Sequence, residues 1–274
     1  TNAMSFFTSL SGLKNAETDL RVIANNIANA ETVGFKKSTA QFADLVATGS
    51  STDPRRNPGI GAALAAITQN FVLGPLEQTG RSLDLAIDGD GFFALANPFS
   101  GDVSYSRNGN FSLSATGELE DAWGNRLQAY PVNAAGNPTS NTPADVDVPI
   151  TNAAGSTLAN VTIDVRGVVN AAYADGTTVP VGMVALATFP APNGLRAIGQ
   201  TKWQATGESG VAVFGNPGIG NYGEMITGAL ERSNVDLAEE MVSLLIAQRN
   251  FQANARAIDT ATQISTTVLN LRQQ

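Results

Sequence analysis

The sequence predicts a mainly β body of antiparallel sheets carried between two long terminal α-helices that pair as a coiled coil. Three observations predict it. Apolar residues recur at helical spacing at both ends of the 274-residue chain. Of its 27 glycines only Gly12 falls within those ends, and all 12 prolines lie between them. The middle alternates short β-type runs with turn signals. The two ends then form one discontinuous domain and the middle another.

The N-terminal helix rests on Phe6, Leu10, Leu13, Ala16, Leu20, Ile23, Ile27 and Ala30, spaced in steps of three and four with no proline between. It is expected over about 5–30, with Gly34 as its stop. The C-terminal helix is expected from Ser233 or Asn234, with Asp236 and Glu239 in a first turn whose dipole favours acid. Its seam runs Leu237, Met241, Leu244, Gln248, Phe251, Ala255, Ile258, Ala261, Ile264, Val268 and Leu271. In the middle, LDLAIDGDGFFAL, VSYSRNGNFSL and VTIDVRGVVNAAYADGTTVPVGMVALATF read as strands. Asn108-Gly109 and Asp175-Gly176 suit two-residue hairpin turns. The stretches 49–61 and 133–149 read as linkers or extended loops. The expected domains are 4–34 with 232–274 (helical), 35–80 (a connecting segment) and 81–231 (β-rich, with a loop or small insertion near 133–160).

Composition closes off most catalytic plans. With no cysteine and no histidine, thiolate nucleophiles, disulfides, imidazole bases and His or Cys metal sites are all excluded. A net charge of −8 disfavours nucleic acid and anionic membrane surfaces. The uncharged windows 57–76 and 176–195 contain proline and polar residues, so a soluble chain with no membrane insertion is expected. The opening lacks a basic, apolar-cored leader. Thr1, Asn2 and Ala3 precede a methionine and read as a cloning remnant, with Met4 as the expected start.

Other motifs have bland readings. Gly218, Gly220 and Gly223 fit GxGxxG, but no long helix follows; the stretch reads as a chain reversal. Asp84, Asp88 and Asp90 lack the spaced ligands of a calcium loop. Glu118, Glu120 and Asp121 read as solvated charges. Asn110-Phe111-Ser112 and Asn160-Val161-Thr162 are sequons of little meaning in a chain without a secretory leader. No catalytic residue, metal or cofactor is expected, and no enzyme.

The helices raise the functional question. Ala16, Ala30, Gln248, Ala255 and Ala261 thin the seam, while Val22, Ala24, Ala28, Leu245, Ile246, Ala247, Ala253, Ala257 and Leu269 make the flanks apolar or neutral. A buried Leu, Ile, Phe or Met contributes about 1.5–3 kcal/mol, against roughly 1–2 kcal/mol of backbone entropy per ordered residue. Helices apolar on several sides need several neighbours. Lateral self-assembly is therefore expected through Leu10, Leu13, Leu20, Ile23, Ile27, Leu237, Met241, Leu244, Phe251, Ile258, Ile264, Val268 and Leu271. The alternative is an ordinary helical hairpin packed on a monomer.

Four blocks carry a resemblance. Residues 19–45 hold a paired-Asn helix end followed by T-x-G-F-K, with Asn25, Asn26, Asn29, Thr32, Gly34, Phe35 and Lys36 in place. GRSLDLAIDGDGFF at 80–93, YSRNGNFSLSATGELEDAWGNRLQAY at 105–130 and the segment from GALERSNVDLAEEM onward complete the set. In this order they resemble the bacterial flagellar axial family of rod and hook subunits, and in detail most resemble the hook protein. One departure is that no stretch could hold the large mid-chain outer domain of many hook subunits, and the length is nearer a rod subunit's. The resemblance implies a subunit exported unfolded, without a cleaved signal, through the flagellar type III apparatus. It implies polymerisation into a helical tube with the terminal helices as inner coiled-coil wall and the β body outside. A hook tube is a flexible universal joint transmitting motor torque to the filament; a proximal or distal rod is a rigid drive shaft. Implied partners are copies of itself, neighbouring rod proteins, the hook cap and hook–filament junction proteins, and the implied place is the extracellular hook or the basal body. From another class, a secreted β-rich adhesive or carbohydrate-binding protein would keep its ends folded and remain monomeric.

Overall fold

A computed structural model describes residues 2–46 and 59–271, and side chains except those of residues 2–5, 265 and 268–271. Most of the 49–61 stretch therefore lies outside the described residues. The chain divides into two compact units: residues 1–30, 37–70 and 235–274, and residues 31–36 with 71–234.

The first unit holds helix α1 (Asn2–Ala28), a hairpin of β1 (Ser38–Val46) and β2 (Gly59–Gln69), and helix α2 (Leu237–Leu271). α1 ends where Asn29 folds back, its amide donating to the Asn25 and Asn26 carbonyls at 3.2 and 3.1 Å. That is earlier than Gly34, which lies in the other unit. α2 begins later than expected. Asp236 is its cap, its Oδ1 accepting from the amides of Ala238 (2.8 Å) and Glu239 (3.2 Å). The hairpin is the element that the sequence reads as mere connection. Its strands pair from Ser38–Gln69 to Val46–Gly59, with register shifts at Gln41/Phe42 and Leu45/Val46.

The second unit is antiparallel throughout its strand pairings among the described residues. We label three of its strands β3 (Leu76–Gln78), β4 (Leu85–Asp88) and β5 (Phe92–Ala96), and a fourth β6 (Val103–Ser106). The main sheet runs Leu158–Ile163, Val168–Tyr173, Thr178–Val184, Arg126–Tyr130, β5, β6, Lys202–Gln204, Arg196–Gly199. β4 pairs with Glu224–Thr227 and β3 with Ala229–Glu231. β5 is apolar along its length because both of its faces are covered. Phe93 and Leu95 join a core with Leu85, Ile87, Phe111, Leu127 and Val184, while Phe92 and Ala94 join Tyr105, Phe189 and Trp203 on the opposite face.

Two loop expectations change. Asp175-Gly176 does turn a hairpin, with Gly176 at φ +82° and the Tyr173 amide on the Thr177 carbonyl at 2.9 Å. Asn108-Gly109 does not. The Gly109 carbonyl accepts from Leu85 at 3.0 Å, and a Cβ there would collide with the Leu85 carbonyl, so glycine serves close packing rather than a turn. The 133–149 stretch is extended but anchored, with Val146 and Val148 buried in the core beside Leu127.

Candidate assembly site

The first unit has a thin interior. Among its described residues Ala16, Val22, Ile23 and Ala247 are the buried apolar ones, two of them no larger than alanine. A Cβ on Gly12 would stand 2.6 Å from the Asn254 amide oxygen, which measures how closely the helices approach. Of the residues expected to mediate assembly, Leu10, Leu13, Leu20, Ile27, Leu244, Phe251 and Ile258 are half-buried and Ile23 is buried. Leu237, Met241 and Ile264 are exposed. Val268 and Leu271 lie outside the described side chains.

The inward face of α2 shares Leu244, Phe251, Ala255, Ile258 and Ala261 with the expected seam and departs from it at Leu237, Met241, Gln248 and Ile264, which are exposed. Glu240, Ser243, Leu244, Ala247, Phe251, Asn254, Ala255, Ile258 and Ala261 are its buried or half-buried positions among the described side chains, so Glu240 and Ala247 stand where Met241 and Gln248 were expected. Both sets repeat every three to four residues, and a helix apolar on several sides admits either. The consequence is an open apolar face. Met241 (55% exposed), Val242, Leu245 (56%) and Ile246 point away from the unit's interior. On the hairpin, Phe42, Leu45, Leu64 and Ile67 are exposed too.

Two buried polar clusters hold the motif residues. In the first unit Asn26 grips the start of β1 by both ends of its amide: Nδ2 donates to the Ser38 carbonyl at 2.8 Å and Oδ1 accepts from the Ser38 amide at 2.9 Å. Nδ2 also donates to Glu240 at 3.1 Å, and Lys37 Nζ lies 2.7 Å from the other carboxylate oxygen. One amide thus ties α1, β1 and α2. Burial and the nearby Glu240 charge push the Asp19 carboxyl up from its ordinary range. Burial works against the Lys37 charge, but its hydrogen bonds to Glu240 and Glu239 prevail and raise its pKa.

In the second unit Lys36 and Glu231 form a fully buried pair, 2.5 Å apart. Lys36 also donates to the Val72 carbonyl at 2.8 Å, and Glu231 accepts from the Gly74 amide at 2.9 Å. Arg107 approaches the second Glu231 oxygen at 3.4 Å, donates to the Gly89 carbonyl at 2.9 Å and stacks over Phe92. Burial lowers the pKa of both cations, with Glu231 opposing the shift. Gly34 completes the arrangement. Its amide donates to the Glu231 carbonyl at 2.8 Å, its φ is +70°, and a Cβ would meet the Asn108 amide at 2.6 Å. Of the remaining motif residues, Asn25 is exposed, Thr32 and Phe35 are half-buried and bonded to each other through the backbone at 3.2 Å, and Asn29 closes α1. Ser38, Arg107, Glu231 and Glu240 escaped the sequence reading. A charge within an apolar helical register, as at Glu240, was the one available signal.

The acids expected to be solvated charges are not: Glu118 and Glu120 are half-buried, and Asp121 is buried with its carboxylate taken up by the Asn125 backbone and side-chain amides. The 218–223 glycines lead into strand Glu224–Thr227 rather than a helix. Asp84 accepts from Thr79 at 2.6 Å, Glu118 pairs with Arg126 at 2.6 Å, and Asp121 accepts from the Asn125 amide at 2.9 Å. No helix among the described residues is long and apolar enough to cross a membrane.

Comparison with known proteins agrees with this arrangement. Residues 7–36 match the family described as "Flagella basal body rod protein", 86–171 the "Flagellar hook protein FlgE/F/G D1 domain", and 226–271 the "Flagellar basal body rod FlgEFG protein C-terminal". The flagellar basal-body rod protein FlgG of Bacillus subtilis is 36% identical over 281 positions, covering 98% of this chain and 99% of the relative. That of Borreliella burgdorferi is 31% identical over 98% and 99%. The flagellar hook protein FlgE of Salmonella typhimurium is 30% identical over 413 positions, covering 98% of this chain and all of the relative. With matches that span both chains and include the Asn26, Gly34 and Lys36 segment, this protein belongs to the family of flagellar rod and hook structural proteins.

Proposed function

We propose that the chain is a self-assembling subunit of the tubular axis of the flagellum, polymerising through its terminal unit. The observation that carries this reading is the open apolar face of α2 around Met241 and Leu245, on a unit whose own interior is thin. In the polymer α1 and α2 extend into a coiled coil, and neighbouring copies cover that face. A contact between unlike surfaces that does not close produces an open helical tube. Export without a cleaved signal, a place in the hook or basal body, and contacts with rod, hook cap and junction proteins follow from the same reading.

Different observations favour the two kinds of tube. The sequence blocks, AAITQNF and SNVDLAEEMVSLLIAQRNFQANARAI above all, favour a hook, the flexible universal joint. Length favours a rod: the B. subtilis relative aligns over 281 positions, the S. typhimurium hook protein over 413, against 274 residues here. Electron microscopy of polymers grown from purified protein tests both levels. Tubes are expected, curved for a hook and straight for a rod. Leu244→Asp and Ile23→Asp should abolish them while the β body stays folded; normal tubes from these variants would overturn the proposal.

A further inference from the structure

Glu240 is enclosed, 2% exposed, while the next residue, Met241, is 55% exposed. Apolar burial alone favours the opposite arrangement at the start of α2. Turning the helix about its axis by less than the roughly 100° between adjacent residues would bring Met241 and Gln248 inward and carry Glu240 and Ala247 out. Leu244 and Phe251 lie between the two stripes and stay inward in either setting. The chain adopts the setting that buries a charge, so a specific contact must select it. Two polar side chains make that contact. Asn26 is buried and locked independently of α2, because both ends of its amide are bonded to Ser38, at 2.8 and 2.9 Å. Its Nδ2 also donates to Glu240 Oε2 at 3.1 Å, and Lys37 Nζ lies 2.7 Å from Glu240 Oε1.

We infer that Glu240, held by Asn26 and Lys37, is a positioning residue of assembly: it fixes the rotation of α2 and so decides that Met241, Val242, Leu245 and Ile246 face neighbouring copies. The inference rests on the tube reading above and names the residues that give its contact specificity. A buried polar group within an apolar helix pair suits this role. Its desolvation offsets most of its attraction, so it adds little to stability, but it penalises any packing that separates it from its partners. Here the other setting would carry the Glu240 carboxylate away from both donors and take Met241 off the surface. The surroundings also separate this role from mere support of the fold. Without a carboxylate at position 240, Asn26 keeps both bonds to Ser38, and the half-buried Lys37 keeps its bond to Glu239 at 3.1 Å. Neither is stranded, in contrast to Lys36 and Arg107 around Glu231.

The chain has no cysteine, so a single introduced thiol reports the rotation. Gln248→Cys places it at an exposed position that the other setting turns inward. Maleimide labelling of this thiol in the monomer is expected to be fast in the otherwise unaltered chain. Adding Glu240→Ala should slow it about tenfold or more, a shift within reach of burying one Met side chain. Glu240→Ala by itself should leave the melt level, since Met241 turning inward refills the space. It should nonetheless raise the concentration needed for polymerisation about tenfold or more, the scale of a lost anchor. Glu240→Gln keeps an acceptor for Lys37 or Asn26 and should retain fast labelling and polymerisation. Equal labelling with and without Glu240→Ala would overturn the inference, as would normal polymerisation of Glu240→Ala. A lowered melt with labelling still fast would also overturn it, the mark of a residue that only supports the fold. Failure of the unaltered chain to polymerise would overturn the tube reading, whereas the labelling comparison, made on the monomer, decides the rotation by itself.

Discussion

The β body and the terminal unit solve the same problem, burying apolar side chains, in opposite ways. The body closes its core: Leu85, Phe93, Phe111, Leu127, Val184 and Leu186 have no exposed surface. The terminal unit, with two helices and a hairpin of its own, buries only Ala16, Val22, Ile23 and Ala247 among the apolar residues described there and leaves Met241, Leu245 and Ile246 open. The difference teaches that regular secondary structure and a self-sufficient core are separate attributes. Helices this long can follow a seam and still lack enough neighbours to bury it.

The comparison is broken most severely at the buried charges of the body. Glu231→Leu would strand Lys36 and Arg107 without their carboxylate, and a loss of about 3–5 kcal/mol is expected, read from denaturant unfolding followed at Trp203. Phe93→Ala should cost a similar 3–5 kcal/mol through cavity formation. The counterpart in the terminal unit is Met241→Ala, expected to change monomer stability by no more than about 0.5 kcal/mol while slowing polymerisation measured by light scattering. Equal costs at Phe93 and Met241 would erase the contrast. Asp236→Ala removes the cap of α2 and should cost about 1 kcal/mol, visible in helical circular dichroism with the body's transition unmoved.

The smallest effect is electrostatic. The folded chain holds the Asp19 proton more tightly than the unfolded chain does. Its contribution to stability is therefore fully present below the ordinary aspartate range and is lost as pH rises through the raised value. Asp19→Asn should flatten that acid-side dependence and leave the terminal unit unchanged or slightly more stable at neutral pH, by about 0.5 kcal/mol or less. Helical circular dichroism across the acid range, for both proteins, reads the difference.

The sequence made the broad division legible and hid the ties within each part. Helical spacing from Phe6 to Ile27 and beyond Leu237 needs no tertiary knowledge, and prolines and all glycines but Gly12, gathered in the middle, mark the sheets. The β1–β2 hairpin was not legible because STAQFADLV and GIGAALAAITQ lack a clean two-residue alternation, and most of their positions are exposed or half-buried. The register of α2 was ambiguous because apolar residues at 241, 242, 244, 245 and 246 fit more than one face. Lys36 and Glu231 lie 195 positions apart. Nothing local in Ala-Leu-Glu announces that its carboxylate will be enclosed by two cations. Lys36 was reached only through the family motif and Gly34 otherwise only as a helix stop, and the structure supplies the physical reason for both: a left-handed backbone against Asn108 and a buried charge pair.

The central claim is that the terminal unit is completed by neighbouring copies and the body is not. Amide hydrogen exchange by mass spectrometry, on monomer and on polymer, tests it most directly. The account predicts that amides of β5 and of Arg126–Tyr130 are strongly protected in both states, while those of α1, β1, β2 and α2 exchange quickly in the monomer and become protected in the polymer. Terminal helices as protected in the monomer as β5, with no gain on polymerisation, would contradict it.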